Sequence, residues 1–307
     1  MEENKVSPTA LLTAYARAYH ATEDDPPKIF DDYLADKLFT EEERNYFRQN
    51  LAEAIKFFNP EFAATCPDQT TALAWVMKNQ NAPITISRAR YTEDSLELAV
   101  YQGVQQYIIL GAGLETFAFR QPELMKRLHV FEVDHPATQA FKRDRLAKVG
   151  WELPAQLHFV PVDFSKESLM AALQRSSYNP RQVSFFSWLG VTYYLTKEVV
   201  LDTLRAIAET ASAGSTIIFD YIESEAFVPE RAAKRMQRMQ EIVRRVGEPM
   251  KANFDSSTLA TDLEKIGLRL KENLSPADIE ERYFKGRTDG YHAFEHVHFA
   301  WAVVEGA

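Results

Sequence analysis

A single cysteine, Cys66, stands in 307 residues. That excludes an internal disulfide and a thiolate metal cluster, and it points to a reducing, cytoplasmic setting. Basic side chains are in deficit, with 35 Lys and Arg against 44 Asp and Glu, a net charge of −9. A basic field for nucleic-acid phosphates is therefore missing, and no nucleic-acid partner is expected. Long hydrophobic runs are missing as well. The longest compact apolar stretch, 183–191, is broken by Ser184 and Ser187. It falls far short of the roughly 20 residues that cross a bilayer, so no membrane partner is expected. The stretch 1–6 shows no basic region leading into an apolar one, and no secretory signal is read there. Internal repeats and low-complexity tracts are absent from the sequence.

What is present falls into two parts. The first, 1–85, reads as helical without a convincing strand. Leu11, Leu12, Tyr15, Ala18 and Tyr19 recur at helical spacing. Thr40 followed by Glu41, Glu42 and Glu43 predicts a capping box and a helix to about Phe58, where Asn59-Pro60 stops it. A third helix is predicted over 69–78. The acidic segment Glu23-Asp24-Asp25 reads as a solvated loop.

The second part, 86–307, alternates strands with helices. Strands are predicted at 107–110, 130–133, 158–162, 184–188 and 215–221, with helices at 136–148 and 197–211. Pro136 suits the first turn of its helix. A helical insertion at about 226–250 interrupts the strands. A helix near 257–266 and strands at 269–274 and 298–304 then close the chain, the last two placed as an antiparallel edge. The pattern predicts a doubly wound α/β core, mostly parallel, under a helical N-terminal cap.

The strongest local signal is Gly111-Ala112-Gly113-Leu114-Glu115-Thr116, directly after a strand. Glycines there let the backbone approach a ligand, and the amides at a strand end can face it. A dinucleotide fingerprint would need a third glycine where Thr116 stands. Asp134 ends the second strand 23 residues beyond Gly111. A carboxylate at that spacing receives both hydroxyls of a ribose, although it could instead cap the helix at Pro136. Asp163 and Phe164 follow the third strand on the same edge, where an acceptor and an apolar wall can hold adenine. These features predict a nucleoside-bearing cofactor at the switch point of the sheet.

The motifs Gly111 to Thr116, Phe131-Glu132-Val133-Asp134-His135-Pro136 and Val160-Pro161-Val162-Asp163-Phe164 resemble the leucine carboxyl methyltransferase family. The likeness is strongest to its broad branch of S-adenosylmethionine-dependent methyltransferases. Arg88-Ala89-Arg90-Tyr91, Phe141-Lys142, Tyr194-Leu195-Thr196, Phe219-Asp220-Tyr221 and Gly247-Glu248-Pro249 extend it, so that it covers about 84–305. The resemblance implies a class I methyltransferase sheet of seven strands with an antiparallel last strand. It implies S-adenosyl-L-methionine as cofactor, with Gly111 at the methionine part, Gly113 also binding the cofactor, Asp134 at the ribose, and Asp163 and Phe164 at adenine. Arg90 would pair with the cofactor's carboxylate, with Arg88 as the competing choice. Two positions depart from the family: Glu115 replaces its Asp, and Leu189 stands where the carboxyl methyltransferases carry a Glu.

The expected reaction is O-methylation of a carboxylate or hydroxyl on a small metabolite or a protein terminus. Tyr193 and His292 are the acceptor-side candidates. His296 and His298 alternate onto one strand face, but no Cys partner stands nearby and no metal site is expected. The stripe Lys234, Arg235, Arg238 and Arg245 reads as a solvated face, or as an attractor for an acidic partner. The competing readings are a nicotinamide-dependent oxidoreductase and a cofactor-binding protein without catalysis. The sequence assigns no oligomeric state.

Overall fold

The computed structural model describes residues 6–163 and 166–306. Six helices come first: α1 (Pro8–Glu23), α2 (Glu41–Glu53), α3 (Ile55–Phe58), α4 (Pro60–Thr65), α5 (Gln69–Asn79) and α6 (Asn81–Tyr101). The Thr40–Glu43 capping box forms as predicted, with both reciprocal bonds made. The helix it starts pauses at Ala54 before α3. Asn59 then starts a new helix, its side chain accepting from the Phe62 amide at 3.1 Å. The longest element, α6, was not predicted, and the expected 85/86 boundary falls inside it.

The sheet follows, with β1 (Gln106–Leu110), β2 (His129–Asp134), β3 (Leu157–Pro161), β4 (Ser184–Trp188), β5 (Thr216–Ile222), β6 (Leu268–Leu274) and β7 (Val297–Val304). Its order is β3-β2-β1-β4-β5-β7-β6. The first five strands pair in parallel, and β7 runs antiparallel between β5 and β6. The connecting helices are α7 (Phe117–Arg120), α8 (Pro122–Met125), α9 (Pro136–Lys148), α10 (Leu169–Gln174), α11 (Lys197–Thr210), α12 (Lys234–Arg245), α13 (Leu259–Glu264) and α14 (Pro276–Ile279).

Both faces are buried, as a parallel sheet requires. Tyr107, Ile109, Phe185 and Ile218 pack against the N-terminal helices. The alternate residues Ile108, Phe186, Trp188 and Ile217 pack on the side of α11 and α13. The strand order reverses at β1, which lies between β2 and β4. The crevice at the carboxyl ends of those strands is where such sheets take ligands.

The cap is fastened to the core by charge as well as apolar contact. Arg238 of α12 donates to the Phe58 carbonyl at the end of α3. Arg235 donates to the Asn79 carbonyl at the end of α5 at 2.5 Å and to the Ala293 carbonyl at 3.0 Å. Cations suit helix carboxyl ends, where carbonyls lack intrahelical partners. These two arginines are thus clips, correcting both readings of the basic stripe for them. Asp24 is also corrected: its side chain is only 3% exposed. It accepts from the His20 ring and from the Tyr291 hydroxyl, each at 2.7 Å. His20 Nε2 accepts from the Ile29 amide at 3.0 Å, so both ring nitrogens are used structurally. No helix among the described residues is long and apolar enough to cross a membrane.

Candidate functional site: the carboxyl edge of β1, β2, β4 and β5

At the end of β1 the amides of Gly111 and Ala112 both donate to the Val133 carbonyl. Gly111 has φ +71°, and a Cβ there would stand 2.5 Å from Val191 Cγ2 in the loop after β4. Only glycine lets those two loops come so close. Gly113 donates its amide to Asp134 Oδ2 at 2.5 Å. The other Asp134 oxygen accepts from the His135 amide at 2.6 Å. The helix α9 is capped instead by the His135 ring, which accepts from the Ala137 amide. Asp134 therefore ties the glycine turn to the end of β2 and does not cap the helix.

A carboxylate can accept about four hydrogen bonds, and the structure uses two of those of Asp134. Burial raises its pKa, against the two amides that favour the charged form. A ligand offering two hydroxyls would complete its shell and relieve that cost. Together with the glycine cradle, this carboxylate acceptor fits the hydroxyls of a nucleoside. Asp163 lies along the same edge, 4.0 Å from His135 Nε2, with Lys166 at 3.1 Å. Phe164 lies outside the described residues.

The two arginines of α6 separate cleanly. Positions two apart on a helix point to opposite sides. Arg90 is exposed and pairs with Asp94 at 2.9 Å on the outer face. Its partner is therefore not part of the cluster at the carboxyl edge. Arg88 is buried and donates to Asp220 Oδ2 at 2.7 Å and to the Tyr193 hydroxyl at 3.2 Å. Its guanidinium also lies against Gly190, where a Cβ would meet Nη2 at 2.5 Å. Asp220 closes the cluster by accepting from the Gly190 amide at 2.7 Å. Burial opposes the charge of Arg88, and Asp220 more than restores it, so its pKa is raised.

Exposed ion pairs contribute about 0–1 kcal/mol. Arg90→Ala is accordingly expected to leave both stability and S-adenosylhomocysteine affinity nearly unchanged by calorimetry. Arg88→Met strands Asp220 and should cost stability by about 3–5 kcal/mol and lose most of that affinity. A large affinity loss in the Arg90 variant would reverse the assignment.

Tyr193 is buried, and its phenol is pushed up to about 12 by burial first and then by the charge of Asp220. It stays protonated near neutrality, so it is a hydrogen-bonding group and not a base. His292 stands exposed against Glu280 at 3.2 Å, and none of its partners belongs to the carboxyl-edge cluster. His296 precedes β7 with φ +66°, which breaks the alternation expected with His298. Its ring accepts from the Ala233 amide, while His298 faces Glu223 at 3.4 Å. A cavity of about 520 Å³ opens beside these histidines, with Glu223, Asp255 and Arg231 in its walls. It shares no residue with the cluster around Gly111, Asp134 and Arg88.

A buried ionic network under the glycine turn had no signal in the sequence. Arg17 of α1 pairs with Asp32 at 2.8 Å and donates to the Leu114 carbonyl, also at 2.8 Å. Asp32 accepts from Thr116 Oγ1 at 2.6 Å, and Arg120 joins Thr116, Asp32 and Glu93. Glu115 accepts from the Thr116 and Phe117 amides and so caps the short α7. Burial alone would raise its carboxyl, but Arg17, Arg120 and Lys142 hold it at about 2. Cap and turn are thus one charged unit.

Comparison with known proteins bears on the family and the fold. The family model described as leucine carboxyl methyltransferase matches residues 10–208. YktD of Bacillus subtilis, whose name ties it to S-adenosyl-L-methionine-dependent methyl transfer, is 40% identical over 304 residues, 99% of each chain. A similarly named protein of Mycobacteroides abscessus is 28% identical, over 86% of this chain and 78% of that one. Among solved structures, a DUF574 family protein from Streptomyces avermitilis superposes with TM-score 0.58 at 14% identity, over 96% of this chain and 97% of that one. An O-methyltransferase family protein from Burkholderia thailandensis gives TM-score 0.50 at 11% identity, over 97% and 84%. Those two likenesses concern the fold, the class I methyltransferase sheet. The nicotinamide reading, already weakened by Thr116, is not favoured. The chain belongs to the leucine carboxyl methyltransferase family and is an S-adenosyl-L-methionine-dependent methyltransferase.

Proposed function

We propose that the chain methylates an oxygen of a small molecule, and that this oxygen is a hydroxyl. S-adenosyl-L-methionine supplies an electrophilic methyl group on a positively charged sulfur, which becomes a neutral thioether on transfer. The chain's own residues bind, orient and manage the proton. Asp134 would take the ribose hydroxyls, Gly111 and Gly113 would admit the methionine part, and Asp163 lies where adenine would be held. Arg88 replaces Arg90 as the partner for the cofactor's carboxylate, since Asp220 and the Tyr193 hydroxyl engage only Nη1 of a guanidinium that carries five donors.

The observation that carries the hydroxyl reading is the charge state at this edge. Arg88 is already neutralised by Asp220. Burial holds the phenols of Tyr193 and Tyr194 protonated. An anionic acceptor would thus meet no unpaired cation in the cluster of Arg88, Asp220 and Tyr193, whose remaining donors are assigned to the cofactor's carboxylate. A hydroxyl can use the carboxylate of Glu248, one of whose oxygens is free. A carboxylate acceptor, on a metabolite or a protein terminus, is the reading that the family's description favours. The single cysteine is consistent with a cytoplasmic setting for either.

Incubation with a tritium-methyl-labelled cofactor and a panel of hydroxyl- and carboxyl-bearing small molecules separates the two. Label in an alkali-stable ether is the expected result. Label released by mild alkali identifies a methyl ester and overturns the hydroxyl reading.

A further inference from the structure

The chain after α12 runs through Gly247, Glu248 and Pro249 and meets the start of α1. Glu248 Oε1 accepts from Ser7 Oγ at 3.1 Å, and Ser7 is the N-cap of α1. The second oxygen, Oε2, is buried and has no hydrogen-bond partner among the described residues. A desolvated carboxylate oxygen without a donor is rare in a folded interior, because nothing offsets the water it has lost.

The segments on either side of Glu248 pack on the methyl-transfer edge. Ala10, one turn into α1, lies 3.4 Å from where a Gly113 Cβ would stand. The helix that Glu248 holds is therefore the helix that covers the glycine turn. On the other side, the backbone amide of Lys251 donates to the Tyr193 carbonyl at 2.6 Å. The Tyr194 ring packs edge-on to Tyr193 with centroids 4.7 Å apart. Its half-buried phenol is pushed well up by burial, then by Tyr193 and by the charge of Glu248. Tyr194 thus lies within reach of the Glu248 charge, and its ring neighbour Tyr193 bonds Arg88.

We propose that Glu248 Oε2 receives the hydrogen bond of the acceptor's hydroxyl and takes its proton during transfer, the acceptor being a phenol held against the Tyr194 ring. The inference rests on the hydroxyl reading above. In the step, the acceptor oxygen gains a bond to the methyl carbon and loses its O–H bond. The S–CH₃ bonding pair returns to sulfur, and the proton ends on Glu248. One cation and one carboxylate become two neutral groups, a change that a buried site favours because both charges were costly there. A phenolic acceptor suits a carboxylate base better than an alkyl alcohol, whose proton is held more tightly. It also presents a flat ring to an aromatic neighbour.

The probe is 4-nitrophenol, added to protein saturated with S-adenosylhomocysteine, because its absorbance distinguishes phenol from phenolate. The wild type should bind the neutral phenol, and the titration midpoint of bound probe should lie above that of free probe, since Glu248 repels a second anion. Glu248→Gln keeps the shape and the Ser7 contact while removing the charge. It should weaken binding of the neutral phenol by about tenfold or more and bring the midpoint down, with S-adenosylhomocysteine affinity unchanged. Equal affinity and equal midpoints in the two proteins would overturn the role of Glu248. Failure of the wild-type complex to bind the probe would overturn the phenolic class. If instead the hydroxyl reading is wrong, the labelled-methyl assay yields alkali-labile product, a result separate from either of these.

Discussion

Asp134→Ala should weaken S-adenosylhomocysteine binding by about 10- to 150-fold, the equivalent of about 1.5–3 kcal/mol for charge-assisted hydrogen bonds. The variant loses the acceptor for the ligand's hydroxyls and also the bond that holds the Gly113 amide at 2.5 Å. Calorimetric titration measures the change, and a loss under about threefold would sink the ribose assignment. A pH dependence follows with a definite sign. Burial raises the folded-state pKa of Asp134 above its ordinary 3.8. Its ionised form therefore subtracts from stability above that raised pKa in the free protein. Hydroxyl donors favour the ionised form, so binding lowers the pKa and releases a proton in that window. Affinity should fall as pH drops through the raised pKa and be flat above it. In Asp134→Ala this acid limb should disappear.

An effect on stability as large as that at Arg88 is expected at Lys142, which lies in α9 and is 1% exposed. Its ammonium pairs with Glu132, also 1% exposed, in the middle of β2. Burial raises the Glu132 carboxyl, and Lys142 is the main influence pulling it back. Lys142→Met should lower the unfolding free energy by about 3–5 kcal/mol near neutral pH, because a buried charge is left uncompensated. In that variant Glu132 can escape the cost only by binding a proton. Its loss of stability should therefore shrink as pH falls through the raised carboxyl pKa. The double replacement Glu132→Leu with Lys142→Met removes both charges and should recover most of the loss. Urea unfolding of the wild type and the two variants tests this. A single-variant loss below about 1 kcal/mol would show that the pair is hydrated and not buried.

Much of the architecture was legible because its causes are local. The stretch 184–188 reads as an apolar run and is β4 to the residue. Pro136 opens α9, which ends at Lys148 as read. The glycine turn and Asp134 were visible as single residues at the right spacing after strands, and the fold brings Gly113 and Asp134 into direct contact. The helix α6 was missed, although its buried positions Arg88, Tyr91, Thr92, Ser95 and Ala99 recur at helical spacing. Recognising that period would have separated Arg88 from Arg90, since residues two apart cannot share a buried face.

Other features had no local cause to read. Asp24 looks like part of a solvated acidic loop until Tyr291, 267 residues away, donates to it. Arg17 acquires its meaning from the Leu114 carbonyl 97 residues on, and Glu248 from Ser7, 241 residues back. The sequence by itself determined the strands, the glycine cradle, the carboxylate at the end of β2 and the family. Each of these depends on side-chain period or on backbone freedom within a few residues. Tertiary structure alone decided which arginine faces inward, which charges are buried as pairs, and which carboxylate oxygen is left over. Those depend on desolvation and on partners that only the folded chain brings within hydrogen-bond reach.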